Sequence, residues 1–245
     1  MTLVKICGNR TPADVLAAAE AGADFVGLVF AESSRRVDIA EAQAMVRALG
    51  RPLYEHEMTV PPPIQSHVRE QVDEWFRHGA QVIEGHLRVK RPLTVGVFAD
   101  QPIEEINEIA LETGIDLVQL SGDESWEECL LVARPVIQVV HISPLDSPSD
   151  ALAQIEPGFA LALLLDSAHG PYRGGSGQAF DWDVAREVAA RLPLLLAGGL
   201  TPENVGEAIA RVRPWAVDVS SGTETDGRKD HARVRAFIQA VRAAT

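Results

Sequence analysis

Eight short runs of apolar residues, rich in valine, isoleucine and leucine, recur along the chain and are separated by stretches with helical spacing. They are Val4–Cys7, Phe25–Phe30, Leu93–Phe98, Asp116–Leu120, Val136–Ile142, Ala160–Asp166, Leu194–Ala197 and Ala216–Ser220. Nearly every position in them is apolar, as in strands covered on both faces, and their alternation with helices is the pattern of parallel strands joined by crossovers. Eight such units predict an α/β fold closed into a single-domain (β/α)8 TIM barrel rather than an open doubly wound sheet. A chain of 245 residues suits one such domain, read as residues 1–245.

Helix boundaries agree with this. Thr11-Pro12 and Thr201-Pro202 each place an N-cap hydroxyl before a proline at the first helical position, and Gly22 and Gly114 supply left-handed C-terminal caps. One stretch breaks the regularity. Between the second helix, about Ile39 to Leu49, and the third strand lie some forty residues, where such a connection normally takes about 2–6. It holds Pro61-Pro62-Pro63 and a predicted helix from Ser66 to about Arg88, whose apolar stripe is Val68, Val72, Trp75, Phe76, Val82, Ile83 and Leu87. We read it as an inserted helical segment, approximately 53–90, that caps the N-terminal face of the barrel or makes a homodimer contact, because monomers rarely expose a large apolar patch.

The formal net charge of −13 argues against a nucleic-acid partner, since phosphate backbones are gripped by clustered lysine and arginine. No apolar run reaches the roughly 18 residues of a membrane span, and the first residues lack the layout of a secretory signal. A soluble, cytoplasmic protein without a membrane partner is expected. Cys7 and Cys129 have neither disulfide-framework nor metal-ligand spacing, and His67, His78 and His86 lack a nearby carboxylate or thiol ligand, so no metal is expected.

In a closed barrel the chemistry sits at the C-terminal ends of the strands. Those ends carry Cys7-Gly8-Asn9-Arg10, Ser33 to Arg36, Gln119 to Asp123, Asp166-Ser167 with the following loop through Arg173 to Gly177, Gly198-Gly199, and Asp218 to Gly222. Ala197–Leu200 and Val219–Gly222 have the glycines and exposed N–H groups of a phosphate cradle, or else make only tight turns. Cys7 is a candidate base if its pKa falls from about 8.5, or else a small buried hydrophobe. Strand alternation is read as turning Lys5 away from it, or toward the same side only if a bulge intervenes. Asp166 closes an apolar run that would raise its carboxyl pKa and suit a general acid, the alternative being a loop or capping hydrogen bond.

VKICGNR at Val4–Arg10, GLVF and SSRRV between Gly27 and Val37, VGVF at Val95–Phe98 and VQLSGDE at Val118–Glu124 form an ordered series. It continues with GGSGQAFDW at Gly174–Trp182, AGGLTPENV at Ala197–Val205, and VDVSSGTE ahead of Gly227 and Lys229-Asp230. Together these resemble the phosphoribosylanthranilate isomerase family of tryptophan biosynthesis, over almost the whole chain except the insertion. The resemblance implies an intramolecular Amadori rearrangement of a small phosphosugar, with no metal or organic cofactor, in a monomer or homodimer. It assigns Asp166 as general acid and Cys7 as general base. Arg36 would pair with the anthranilate carboxylate, with Arg35 a solvated neighbour, and Asp218 would orient the opened sugar. The backbone of Gly198, Gly199, Ser220, Ser221 and Gly222 would hold the phosphate. Ser121 departs from the family's Gln-Leu-His-Gly pattern and is read as a shaping residue, while His141 and His169 have two readings, a place near the rim or a surface or packing role. The rivals are a differently specific isomerase, against which the thiol counts because such relatives use paired aspartates, and a non-catalytic phosphosugar-binding barrel, which would need neither Cys7 nor Asp166.

Overall fold

The apolar runs pair side by side in a computed structural model, which describes residues 1–55, 71–143, 145–167 and 182–245. Strands β1 (Leu3–Ile6), β2 (Phe25–Val29), β3 (Leu93–Phe98), β4 (Leu117–Leu120), β5 (Val136–Ile142), β6 (Ala162–Ser167), β7 (Leu195–Leu196) and β8 (Ala216–Val219) are all parallel and follow chain order. β8 pairs back onto β1, with Lys5 beside Asp218, and closes the barrel. Each strand lies within two residues of its expected limits.

Helices α1 (Pro12–Ala21), α2 (Ile39–Ala48), α3 (Val72–Val89), α4 (Ile103–Thr113), α5 (Pro148–Ala153), α6 (Trp182–Ala189), α7 (Val205–Val212) and α8 (His231–Ala243) connect them, with a 3-10 turn at Glu127–Leu131 between β4 and β5. A short hairpin, β9 (Glu224–Thr225) and β10 (Arg228–Lys229), follows β8. Thr11 caps α1 as expected, in a reciprocal capping box with Asp14, and Gly22 and Gly114 take left-handed conformations at the ends of α1 and α4. Thr201-Pro202 does not start α7. Its hydroxyl accepts from the Glu203 N–H in a separate turn, and the helix begins three residues beyond Pro202, at Val205.

Because strand side chains alternate between faces, each strand contributes one set to the barrel interior and one to the layer beneath the helices. Leu3, Phe25, Leu93, Val95, Leu117, Ile137, Val139, Ala162, Leu164, Leu195 and Ala216 fill the interior. Val4, Ile6, Val26, Leu28, Val118, Leu163 and Val217 face outward into the helix layer. The same alternation carries Lys5, Cys7, Gln119, His141, Asp166 and Asp218 inward, toward the C-terminal mouth.

Helix α3 lies across the opposite end. Trp75 donates its indole N–H to Ala160 O at 2.7 Å, just before β6, and Trp215, just before β8, donates to Glu84 at 3.0 Å. Ile83 and Leu87 join the barrel interior, and Val72 and Phe76 join the outer core, so this stripe is covered within the chain. Val68, Pro61-Pro62-Pro63 and the expected helix start at Ser66 lie outside the described residues. Beneath the barrel, Asp116 accepts from Leu53 N, Lys90 Nζ, Thr94 N and Thr94 Oγ1 at 2.6–2.8 Å, which fastens the ends of this connection to β3 and β4. Among the described residues no helix is long and apolar enough to cross a membrane.

Gly79 shows how closely α3 approaches: a Cβ there would run into the Leu161 carbonyl. Glycine to alanine inside a helix normally stabilises by about 1 kcal/mol. Here overpacking against immobile backbone outweighs that gain, so Gly79→Ala is expected to destabilise by about 1–3 kcal/mol. Urea unfolding should show the loss, with kcat within about twofold of the parent because the contact is on the far side from the mouth.

Candidate active site

Cys7 follows directly on β1 and is buried, with its thiol lodged against β2 where Gly27 has no side chain. A Cβ on Gly27 would lie 2.6 Å from Cys7 Sγ, so the glycine is the notch that the sulfur occupies. The following turn is fixed to the same strand: Gly8 and Asn9 both donate N–H groups to Gly27 O at 3.1 Å, and Asn9 Nδ2 donates to Ile6 O at 2.7 Å. Gly8 holds φ 77° where a side chain would meet Arg35 and Ser220.

Lys5 is fully buried, and its Nζ donates to Asp218 Oδ2 at 3.0 Å. Residues two apart on a strand share a face, so Lys5 points the same way as Cys7 and the expectation that it turns away is wrong. The thiol also departs from expectation. Burial pushes it up, the Lys5 charge opposes that, the Asp218 charge adds to it and Lys229 opposes it, leaving the thiol above its ordinary pKa. Burial works against the Lys5 ammonium too, but Asp218 and Cys7 outweigh it and raise the pKa.

Asp166 stands three strands round the mouth from Cys7, on β6 above Leu164, and is half-buried. Its neighbour in register on β5 is His141, whose Nε2 lies 2.9 Å from Ser121 O. Ser121 accepts a hydrogen bond from Gln119 Nε2 at 3.0 Å. The loop from Arg173 to Gly177, and His169, lie outside the described residues. Between β6 and β1 come β7 and β8. Gly198 and Gly199 adopt positive φ of 85° and 64°, and Ser221 and Gly222 enter a 3-10 turn. Gly222 has no room for a Cβ against Leu200 O, so the two loops touch. The expected phosphate-binding residues are thus brought together.

The two arginines differ from expectation in one respect. Arg36 is exposed at the rim, bridged through its backbone to Val29, and no ion pair among the described residues engages it. Arg35 is not a solvated neighbour. Its Nε and a terminal nitrogen donate to both Glu224 oxygens at 2.7 and 2.8 Å. Lys229, almost wholly buried, reaches the same carboxylate at 3.5 Å and donates to Cys7 O at 2.7 Å and Ser220 O at 3.1 Å. This latch joins the loop after β2, the hairpin after β8 and the end of β1. Glu224 and Lys229 fall within the sequence motifs, yet only their long-range contacts reveal the role. Among the described residues no group of three or more histidine, cysteine, aspartate or glutamate side chains could hold a metal ion.

The family model described as N-(5'-phosphoribosyl)anthranilate (PRA) isomerase matches residues 54–240. The chain belongs to the N-(5'-phosphoribosyl)anthranilate isomerase family. It is 38% identical over 247 residues to such an isomerase from Dehalococcoides mccartyi, covering 99% of this chain and 96% of that one. It is 42% identical over 255 residues to a multifunctional tryptophan biosynthesis protein from Phycomyces blakesleeanus, covering 96% of this chain but spanning only 32% of that protein. Among solved structures, a phosphoribosylanthranilate isomerase in complex with reduced 1-(o-carboxyphenylamino)-1-deoxyribulose 5-phosphate is similar at a TM-score of 0.68. That pair is 30% identical, with 99% of this chain and 100% of the other covered. The function that goes with the family is isomerisation of N-(5'-phosphoribosyl)anthranilate in tryptophan biosynthesis.

The latch supplies a test with a definite sign. Burial works against ionised Glu224, but the hydrogen bond from Arg35 and the charge of Lys229 outweigh it and hold the carboxyl below its ordinary pKa. A depressed carboxyl pKa stabilises the fold above the unfolded value of about 4.3, and the contribution is lost as pH falls through the folded value. Glu224→Gln should therefore cost about 3 kcal/mol at neutral pH, because it leaves two cations without their counter-charge. Denaturant melts of both proteins should converge as the pH is lowered below about 4.

Proposed function

We propose that the rearrangement yields 1-(2-carboxyphenylamino)-1-deoxyribulose 5-phosphate in the cytoplasm, with Asp166 as general acid and Cys7 as general base. The observation that carries this reading is the inward direction of both groups at one mouth, with the β7 and β8 loops between them. The ligand named for the related complex, a carboxyphenylamino sugar phosphate, has the phosphate, hydroxyls and carboxylate that this arrangement suits.

The phosphate sits on the backbone of Gly198, Gly199, Ser220, Ser221 and Gly222, where positive-φ glycines allow close approach. Asp166 gives its proton to the furanose oxygen, the C1–O bond breaks, and the nitrogen lone pair forms the iminium. The positive nitrogen acidifies the C2 hydrogen; Cys7 takes that proton, the C2–H electron pair becomes the C1–C2 double bond, and the C1–N π pair returns to nitrogen. The enolamine then moves a proton from O2 to C1 and becomes the ketone. Arg36 takes the anthranilate carboxylate, for which Arg35 is unsuited because Glu224 already fills its fork. Asp218 accepts from a hydroxyl of the opened sugar.

Cys7→Ala and Asp166→Asn should each lower kcat by about 10²–10⁴ with an unchanged circular dichroism spectrum, the range usual for loss of a proton-transfer group. Activity within about threefold of the parent in either variant would overturn that residue's role. For Arg36→Ala the expected change is a raised KM with a smaller effect on kcat, since ground state and transition state lose the same contact. An unaltered KM would move the carboxylate site elsewhere.

A further inference from the structure

A base must give up its proton, yet burial pushes the Cys7 thiol up. Three cations face it. Arg35 and Lys229 are both committed to Glu224, and Lys229 meets Cys7 through the backbone carbonyl. Lys5 is placed differently: fully buried and on the same face of β1 as the thiol, it donates to Asp218 Oδ2 at 3.0 Å while its charge acts on Cys7. The other oxygen of that carboxylate, Asp218 Oδ1, is buried and has no hydrogen-bond partner among the described residues. One ammonium therefore stands between two acids, and one of those acids still has an acceptor to offer a ligand.

We propose that Lys5 is a positioning residue shared between Asp218 and Cys7, and that a sugar hydroxyl donating to Asp218 Oδ1 shifts it toward the sulfur, so that the thiolate forms as substrate binds. The proposal rests on the reading of Cys7 as base. No proton passes to Lys5, which remains an ammonium; the thiol proton leaves to water. An acceptor already satisfied by a hydroxyl holds a neighbouring cation less strongly, and in a buried site that difference is little screened.

The test is the ultraviolet absorbance of the thiolate, titrated as the difference from Cys7→Ala, which cancels the tyrosines. Cys129, pushed up to about 12 mainly by burial, cancels as well. Asp218→Asn should lower the Cys7 midpoint by about one pH unit, a tenfold gain in thiolate at fixed pH, because Lys5 no longer has a competing partner. The double variant Lys5→Met with Asp218→Asn should return the midpoint above that of the parent. It avoids the unpaired buried carboxylate that could unfold Lys5→Met alone. Ribitol 5-phosphate, transparent in this range and added until calorimetry shows the site filled, should raise the thiolate signal at neutral pH in the parent and not in the double variant. In Asp218→Asn the acidic limb of kcat/KM should move to lower pH with the midpoint. Equal midpoints in the three proteins, an upward shift in Asp218→Asn, or no signal from the sugar phosphate would each overturn the proposal. Full activity in Cys7→Ala would instead defeat the base reading, while the midpoints would still report whether Lys5 is shared.

Discussion

A parallel sheet that closes on itself has no edge, so its backbone hydrogen bonds are satisfied internally and its two ends are the places left to finish. Since all eight strands run the same way, every inward column of side chains begins at one end and stops at the other. The apolar layers from Leu3 to Ala216 fill the middle, and whatever follows them along each strand must face the mouth. Cys7 above Leu3 and Lys5, Asp166 above Leu164, and Asp218 above Ala216 are there for this reason, before any chemistry is considered.

The two ends use buried carboxylates in contrasting ways. At the bottom, Asp116 is surrounded by four donors from the connection to β3 and from β3 itself, and Asp24 takes the Val4 N–H together with Arg91 and Arg242. Asp116, with both oxygens hydrogen-bonded, is saturated and rigidifies what it holds. At the top, Asp218 has one oxygen paired with Lys5 and the other without a hydrogen-bond partner among the described residues. A buried acceptor is unfavourable unless a donor meets it, and a hydroxyl of the substrate is such a donor.

Strand positions, helix caps and the inward ends of the strands were legible because they depend on local sequence: an apolar run at Phe25–Val29, a capping box at Thr11, a left-handed glycine at Gly22. Thr201-Pro202 carries the same local signal as Thr11-Pro12, but its hydroxyl is spent on a separate turn, which spacing alone does not distinguish. Lys5 was legible in principle, since alternation puts positions 5 and 7 on one face. The upward shift of the thiol was not, because it comes from burial and from the charges of Lys5, Asp218 and Lys229, the last two brought beside Cys7 from more than 200 positions away. The latch joins residues 189 positions apart, and Arg35 resembles Arg36 until Glu224 is seen beside it.

The notch at Gly27 ties two positions into one heritable unit. Because the sulfur of Cys7 occupies the volume that a side chain on β2 would fill, neither site can drift alone: any residue larger than glycine at 27 evicts the thiol, and any bulkier group at 7 finds the opposite wall already shaped to sulfur. Change of the base during divergence must then pass through a paired replacement or a shift of β1 against β2. That shift is resisted by the Gly8 and Asn9 hydrogen bonds to Gly27 O, so the same peptide that makes space for the reactive group also sets how far it can move.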